Sequence, residues 1–236
     1  MTMDDYLVFQ LYAPLAAWGG QAVGQERPTN DHPGRSALLG LLAAALGLKR
    51  EQEQAHAQLR DACRFGIKLF SPGLMLRDFH TIQVPPGARK QQHLKTRRDE
   101  LREPKLGTML SFRSYRQDAL CLVAALSSDA DYGVERLADA LLEPVFPLYL
   151  GRKSCPPAAP LDPEVIAAPD LRSALDSYCI APVLARLQTG TPRYYWEAGM
   201  NTGMRHDYRA PRHDQPLSRR RWQFAPRDEY VFLGGE

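Results

Sequence analysis

The sequence lacks the patterns that mark membrane-spanning and secreted proteins. None of its apolar runs approaches the ~18 residues that a membrane span requires. Residues 1–5 are acidic, whereas a signal peptide begins with basic residues. We therefore expect a cytoplasmic protein that does not associate with a membrane.

Cysteine is scarce and scattered along the chain. The four cysteines are Cys63, Cys121, Cys155 and Cys179, and no CxxC pair occurs among them. This spacing argues against a zinc site and gives no disulfide framework. We expect the four thiols to be reduced and structural.

Motifs of several enzyme and binding classes are also missing. HExxH and GxSxG do not occur, and neither does GxxxxGK(S/T), the phosphate loop of ATP- and GTP-binding proteins. The aromatic strand motif of RNA recognition domains is absent too, so base stacking on an open sheet is not expected. His206 and His213 are seven residues apart without a cysteine partner, which does not favour a metal site. We expect neither a metal ion nor another cofactor.

Positive charge, by contrast, is concentrated in two segments. Residues 77–116 hold ten lysines or arginines against four acidic residues, and residues 205–227 hold seven against two, although the net charge of the chain is only +3. Because the rest of the chain is acidic, this distribution indicates a surface for a polyanion. The alternative is that both segments are solvated loops.

The spacing of apolar residues predicts an α+β fold. The predicted strands cover residues 6–12, 63–70, 74–84, 108–116, 119–126 and 228–233, and the predicted helices cover residues 35–48 and 132–142. This order fits a ferredoxin-like, RNA-recognition-like sandwich, with residues 1–150 as the core and 151–236 as a C-terminal extension packed on it. The strand pair at 63–84 is expected to form a hairpin. The second face of the first strand is apolar enough to be covered by a partner.

Three later segments show no regular pattern. Residues 156–169 are a proline-rich connection, residues 174–187 are poorly periodic, and residues 204–221 are interpreted as a basic loop.

A long basic stretch separates two of the predicted strands. Residues 85–100 have no apolar period and cannot pack a core, and loops of this length are usually functional or disordered. We interpret residues 77–116 as a protruding basic arm between two strands.

A second candidate feature follows the helix at 132–142. The apolar run 147–150 leads into Gly151, Arg152, Lys153 and Ser154. Glycine permits a close backbone approach, while two cations and a hydroxyl favour an anion. The pattern is compatible with a strand that exits into a loop and with a contact to a nucleic-acid backbone.

Two further positions allow a structural and a functional interpretation. Trp18 beside glycines is either a core residue or a base-stacking platform. The helix that begins near Arg35, with Ser36 as a candidate N-cap, is either a capped core helix or a phosphate site formed by its N–H groups with Arg27 and Arg35.

A family resemblance rests on six stretches taken together. They are Trp18-Gly19, Arg27-Pro28-Thr29, residues 35–42, residues 76–81, residues 149–156 and residues 221–231. In their order and spacing over nearly the whole chain, these stretches resemble the CasD family of the type I-E CRISPR Cascade.

The resemblance implies a repeat-associated, RNA-recognition-like fold with a thumb hairpin, here the arm at 77–116. It implies a non-catalytic subunit that holds the 5′ handle of the CRISPR RNA, beside the CasC backbone subunit and the CasA large subunit, and that meets target DNA only through the complex. Together with the basic segments, it predicts RNA contacts from Trp18, Arg27, Arg35, Ser36, Arg77, His80, Lys95, Arg97, Arg98, Arg113, Arg116, Gly151, Arg152, Lys153, Ser154, Arg220 and Arg221.

Two other functions remain open at this point. A metal-independent endoribonuclease that processes CRISPR precursor RNA needs a general base, a general acid and a cation, and His80, His93, Lys95 and Tyr115 are residues of these types. A protein-binding scaffold would use the basic arm against an acidic partner.

Overall fold

The computed structural model describes residues 3–85, 96–102 and 105–234. Nine strands are assigned: β1 (Asp4–Ala16), β2 (Glu26–Arg27), β3 (Cys63–Ser71), β4 (Leu74–Val84), β5 (Gly107–Ser127), β6 (Glu164–Ala168), β7 (Arg193–Glu197), β8 (Tyr208–Ser218) and β9 (Gln223–Phe232). The α-helices are α1 (Arg35–Ala45), α2 (Glu53–Ala62), α3 (Arg97–Glu100), α4 (Val134–Leu142) and α5 (Leu171–Ser177), and 3₁₀ turns cover Ala130–Tyr132 and Pro182–Leu187. The fold is therefore α+β. None of the helices in the described ranges is long and apolar enough to cross a membrane.

The strands form a single sheet. Its order is β6-β1-β5-β3-β7-β9-β8, with β2 and β4 pairing on β5 outside this path. All pairs are antiparallel except β2 with β5. Strands β6 and β7, which follow residue 150, pair directly with β1 and β3, so the C-terminal third of the chain extends the same sheet.

The helices α1 and α4 cover one face of the sheet. Alternate residues of the central strands, Leu7 and Phe9 in β1 and Val123 in β5, are fully buried on this side. Leu42 of α1 and Leu137 of α4 are fully buried in the same cluster. The period of two along the strands and the apolar stripes of the helices account for this layer.

The helix α5 covers the opposite face. Tyr6, Val8 and Leu122 point to this side and are fully buried with Leu171. Gly66 leaves the space for Leu171, because a Cβ there would overlap its side chain. The expectation that a partner covers the second face of β1 is therefore wrong: the chain covers it with its own short helix, which the poorly periodic segment 174–187 did not reveal.

The arm is formed by β4 and the first half of β5. Leu74 pairs with Gln117 and Val84 with Gly107 in an unbroken antiparallel register. The expected hairpin of β3 with β4 does not occur, because the turn at Gly73 (φ +67°) packs on the backbone of Gln117 and sends β4 along β5 instead. The two strands expected at 108–116 and 119–126 are one 21-residue strand with Asp118 at φ +55°.

Two segments interpreted as irregular contain strands. Strand β6 lies within the proline-rich connection, and β8 lies within the segment taken as a basic loop. Pro211 and Pro216 are tolerated in β8 because it is an edge strand, where a missing N–H breaks no interior ladder. Proline content in the first segment and basic composition in the second thus gave the wrong assignment.

Candidate nucleic-acid interface

Residues 147–156 form a tight loop rather than the strand that their apolar run predicts. The N–H of Leu150 donates to the carbonyl oxygen of Cys155 at 2.7 Å. Both residues are 1% exposed, so they anchor the loop in the core. Lys153 and Ser154 lie between the anchors and are exposed.

Gly151 packs against the chain's own backbone. Its φ is +87°, and a Cβ at this position would overlap the carbonyl oxygen of Ala17. Next to it, the N–H of Ala17 donates to the carbonyl oxygen of Leu150 at 3.0 Å. The glycine therefore serves the docking of the loop on the end of β1, and the close approach that it permits is filled by protein.

Arg152 ties this loop to the base of the arm. Its guanidinium donates to the carbonyl oxygens of Ser114 (2.9 Å) and Arg27 (3.0 Å) and lies 4.4 Å from the centre of the Tyr115 ring. Because these partners are dipoles and a ring rather than carboxylates, they orient the guanidinium without neutralising it.

Four further arginines lie around the same junction. Arg27 is opposite Arg113 in the pair of β2 with β5. Across the β4–β5 ribbon, Arg77 is opposite Ser114. Arg116 donates to the carbonyl oxygen of Asn30 at 3.1 Å. The structure thus brings cations from four separate segments of the chain to the base of the arm.

These cations occupy both faces of the arm. Because side chains alternate along a strand, Arg77 and Arg116 share one face, whereas Arg113 shares the other face with Tyr115. Arg152 covers Tyr115 and so belongs to the second face. On the first face, Arg77 lies 4.1 Å from the ring centre of Phe112 and pairs with Glu26 at 2.6 Å.

Two predicted contact residues lie inside the fold. Trp18 is 7% exposed and belongs to the main core, so it is not available as a base-stacking platform. Arg35 is 4% exposed and forms an ion pair with Glu197, while it also donates to the carbonyl oxygen of Cys63. We therefore correct both assignments to structural roles and leave these residues out of the interface.

The N-terminus of α1 is also occupied by protein. Gly34 rather than Ser36 is the N-cap, and the Arg35 N–H donates to a carboxylate oxygen of Asp214 at 2.8 Å. A carboxylate at a helix N-terminus takes the place that a phosphate would use. The guanidinium of Arg219 donates to the carbonyl oxygen of Ser36. The phosphate site expected there is therefore filled from β8.

Four of the remaining predicted residues are separated from the junction. Arg97 and Arg98 lie in α3 near the far end of the arm, where Arg97 pairs with Glu100 at 2.6 Å. Lys95 lies outside the described residues. Arg220 and Arg221 lie in the turn between β8 and β9.

The sequence reasoning missed a buried ion network between the segment before α1 and the last hairpin. His32, 2% exposed, lies between the carboxylates of Asp31 (2.6 Å) and Glu229 (3.0 Å) and stacks on Tyr195. Arg227 pairs with Glu229 at 2.9 Å. The alternation of Arg227 and Glu229 along β9 is the one sequence signal that could have indicated a charged strand face.

The network fixes the charges of its members. Burial lowers the pKa of His32, but the hydrogen bonds to Asp31 and Glu229 raise it by more, so the net shift is upward. Burial raises the pKa of Glu229, while His32 and the nearby arginines outweigh it and hold the pKa at about 2. Both carboxylates are therefore ionised at neutral pH, and their contacts with His32 and Arg227 stabilise the folded state.

The residues weighed for ribonuclease chemistry do not converge within the described ranges. His80 is opposite Ser111 and lies 2.5 Å from Asp78, whereas Tyr115 is four residues further along β5, or about 13 Å at the usual rise of a strand. Tyr115 is also 6% exposed beneath Arg152. His93 and Lys95 lie outside the described residues. Among the residues that the structure describes, no three histidine, cysteine or acidic side chains group as a metal site would require.

Comparisons with known proteins agree on one family. The family model described as CRISPR-associated protein (Cas_Cas5) matches residues 6–229. The curated protein named CRISPR system Cascade subunit CasD, from Escherichia coli (strain K12), is 33% identical, with 99% of this chain and 98% of that protein covered.

Two solved structures share the fold. One, described as a CRISPR RNA-guided surveillance complex, superposes with a TM-score of 0.65 at 26% identity, covering 97% of this chain and 90% of the matched chain. The other, described as the crystal structure of a Cas protein, gives a TM-score of 0.59 at 26% identity, covering 97% and 94%. The resemblance drawn from the six sequence stretches is confirmed.

Proposed function

Because the chain belongs to the CRISPR-associated protein family Cas_Cas5, we propose that it is a non-catalytic RNA-binding subunit of a type I-E Cascade surveillance complex. In this proposal it holds the 5′ handle of the CRISPR RNA. It acts in the cytoplasm, contacts the CasC backbone subunit and the CasA large subunit, and meets target DNA only through the complex.

The observation that carries the proposal is the convergence of cations at the base of the arm. Arg27, Arg77, Arg113 and Arg152 come from four different segments, and Arg152 is held in place by two carbonyl oxygens and a tyrosine ring. Preoriented guanidiniums favour phosphate groups because their N–H donors match the phosphate oxygens. With Lys153 beside Arg152, the junction has the charge and geometry for an RNA backbone.

The strand order supports a ferredoxin-like core. The set β6-β1-β5-β3 has the fourth, first, third and second strands of such a core side by side, with α1 and α2 between the first two and α4 after the third. In this assignment β6, from the segment 151–236, supplies the fourth strand. The division near residue 150 then separates an arm-bearing core from an extension that completes the sheet.

The arm is proposed as the thumb that reaches a neighbouring subunit. Phe79 is 54% exposed and Leu110 36% exposed on the face that also carries Arg77. Exposed apolar side chains beside cations on a two-stranded ribbon fit an interface that is formed only in an assembly. The His80 assignment stays a prediction on the other face of this ribbon.

The test uses cations of the junction that lie outside the core clusters, namely the exposed Arg77 and Lys153 and the half-buried Arg113. In the variant Arg77→Gln/Arg113→Gln/Lys153→Gln, we expect weaker binding of a repeat-derived handle RNA and a flatter dependence on salt, by about 0.7 in the logarithmic slope for each lost phosphate contact. The matched control is Arg64→Gln/Arg136→Gln/Arg172→Gln, which removes three exposed cations from β3, α4 and α5, outside the arm. Equal affinity and slope in both variants and the unmodified protein would refute the site.

Two further measurements separate the alternative functions. Incubation of the pure protein with CRISPR repeat RNA in EDTA should leave the RNA intact, and specific cleavage that is lost in His80→Ala would establish the endoribonuclease instead. Assembly with the partner subunits should fail after ribonuclease treatment during reconstitution. A complex that forms equally well without RNA would favour the protein-binding scaffold.

A further inference from the structure

A groove lies beside the 147–156 loop. It has a volume of about 710 Å³ and runs between α1, the loop and the turn that joins β8 to β9. Its size is in the range of clefts that hold small ligands or single groups of larger ones. The small residues Gly40, Ala43 and Ala44 of α1 form part of its floor.

Three aromatic side chains line this groove and are accessible to solvent. Trp222 is 56% exposed, Tyr149 41% and Phe146 37%. Trp222 also has φ +53°, a left-handed backbone that large side chains rarely adopt. A strained backbone that presents an exposed indole needs support from its surroundings and is often retained for a function.

Arg50 supplies that support. Its guanidinium donates to the carbonyl oxygens of Arg219 (3.0 Å) and Arg220 (3.1 Å) in the turn, and it lies 4.7 Å from the centre of the Trp222 ring. The turn and the indole are thereby fixed to the segment that joins α1 to α2. The aromatic surface is preorganised before any ligand arrives.

The charged residues that line the groove are all basic or histidine. Lys153, Arg50, Arg219 and His56 contribute to its wall, and none of the described residues that line it is an aspartate or a glutamate. Arg219 lies against α1, where Gly40 gives it room and the Ser36 carbonyl oxygen accepts from it. Burial lowers the pKa of Arg219 below its usual range, yet a guanidinium stays protonated at neutral pH.

Aromatic rings beside cations fit one chemical class of ligand. An unpaired nucleotide offers a base that stacks on an indole or phenol and a phosphate that binds a cation, and such stacking tolerates any base. A second protein would instead present apolar or acidic side chains. An apolar side chain would pair with the indole but not with the three cations, and an acidic one would pair with the cations but not with the indole. We propose that this groove binds an unpaired nucleotide of single-stranded RNA, with its base on Trp222 and its phosphates near Lys153 and Arg219.

This inference rests on the proposed function and extends it beyond the base of the arm. Lys153 borders the groove, while the adjacent Arg152 borders the arm, so one RNA strand could pass from the junction into the groove along the loop. In this arrangement the protein contacts the RNA strand beyond the arm, as far as the groove.

Intrinsic fluorescence of the full-length protein provides the test. Of the three tryptophans, Trp18 and Trp196 are 7% and 6% exposed, so the accessible emission comes from Trp222. Titration with a short single-stranded oligoadenylate should quench this emission, because a stacked base quenches an indole. The same oligonucleotide annealed to its complement should quench it much less.

Two substitutions at one position separate stacking from folding. Trp222→Gly removes the ring and suits the left-handed backbone, so the turn is expected to keep its conformation. We expect this variant to bind the oligoadenylate about 5-fold to 150-fold more weakly, whereas Trp222→Phe keeps a ring and stays within a few-fold of the unmodified protein.

Each outcome separates this inference from the proposed function. Binding of RNA with unchanged tryptophan emission and with equal affinity in Trp222→Gly would overturn the groove assignment and leave the interface at the arm intact. Absence of RNA binding by the unmodified protein at low salt would overturn both. Normal RNA binding by Trp222→Gly with a loss of assembly into the complex would show that the groove docks a protein instead.

Discussion

Replacement of Gly151 by alanine tests how the 147–156 loop is held. The backbone at Gly151 has φ +87°, where a side chain costs about 1–2 kcal/mol. The new Cβ would also overlap the carbonyl oxygen of Ala17, which belongs to a backbone and cannot turn away as a flexible side chain can. The loop must therefore move.

The movement has a second cost. It breaks the hydrogen bond from the N–H of Ala17 to the carbonyl oxygen of Leu150, and a buried unpaired backbone group costs about 1–3 kcal/mol. We therefore expect Gly151→Ala to lower the free energy of unfolding by about 2–5 kcal/mol, a large part of the total stability of an ordinary domain.

Urea unfolding followed by circular dichroism measures this change, with Gly199→Ala as the matched control. Gly199 has nearly the same backbone, φ +82°, but nothing lies within 4 Å of a Cβ there. The control should lose only the conformational part, about 1–2 kcal/mol. Equal losses in the two variants would refute the argument that the loop is docked by a contact that only glycine allows.

Three further outcomes follow from the same contacts. Glu229→Gln should lower the free energy of unfolding, measured by urea denaturation, by about 3–5 kcal/mol, because it leaves buried cations without their partner. The control Glu164→Gln, at an exposed position, should change it by less than about 0.5 kcal/mol. Since the pKa of His32 is raised in the folded state, its contribution to the free energy of unfolding should be complete below about pH 6.5 and be lost as the pH rises through the folded pKa. His32→Gln should remove this part of the pH dependence of stability. An unaltered pH profile in that variant would contradict the argument. Arg152→Lys cannot donate to two carbonyl oxygens in a fixed fork, so the β5 amides near Ser114 should exchange hydrogen faster; unchanged exchange would show that Arg152 does not hold the arm.

The charge pattern shows where sequence reasoning about the interface succeeds and where it stops. Residues 77–116 do carry arginines to the base of the arm. In residues 205–227, however, Arg212 and Arg227 pair with Glu229 inside the hairpin of β8 and β9. A count of charges along a segment cannot separate a paired cation from a free one, because the partners come from distant parts of the chain.

The same limit explains the two misassigned contacts. Arg35 follows a proline-containing loop and begins a helix, a context typical of a phosphate site, but its partner Glu197 lies 162 residues away. Trp18 beside two glycines gives no local sign of burial, and only the packing of the whole sheet places it in the core.

By itself, the sequence determined the α+β class, the first strand, the helices α1 and α4 and the family, because these depend on local periodicity and on the order of short motifs. Tertiary structure decided which strand β4 pairs with, that α5 closes the second face, and that Asp214 fills the N-terminus of α1. These features depend on contacts between residues far apart in the chain, and no local pattern encodes them. The 147–156 loop illustrates both contributions. Its composition predicted a close backbone approach at the glycine and a cation that binds an anion. The fold decided that Gly151 approaches the backbone of Ala17 and that Arg152 holds the arm.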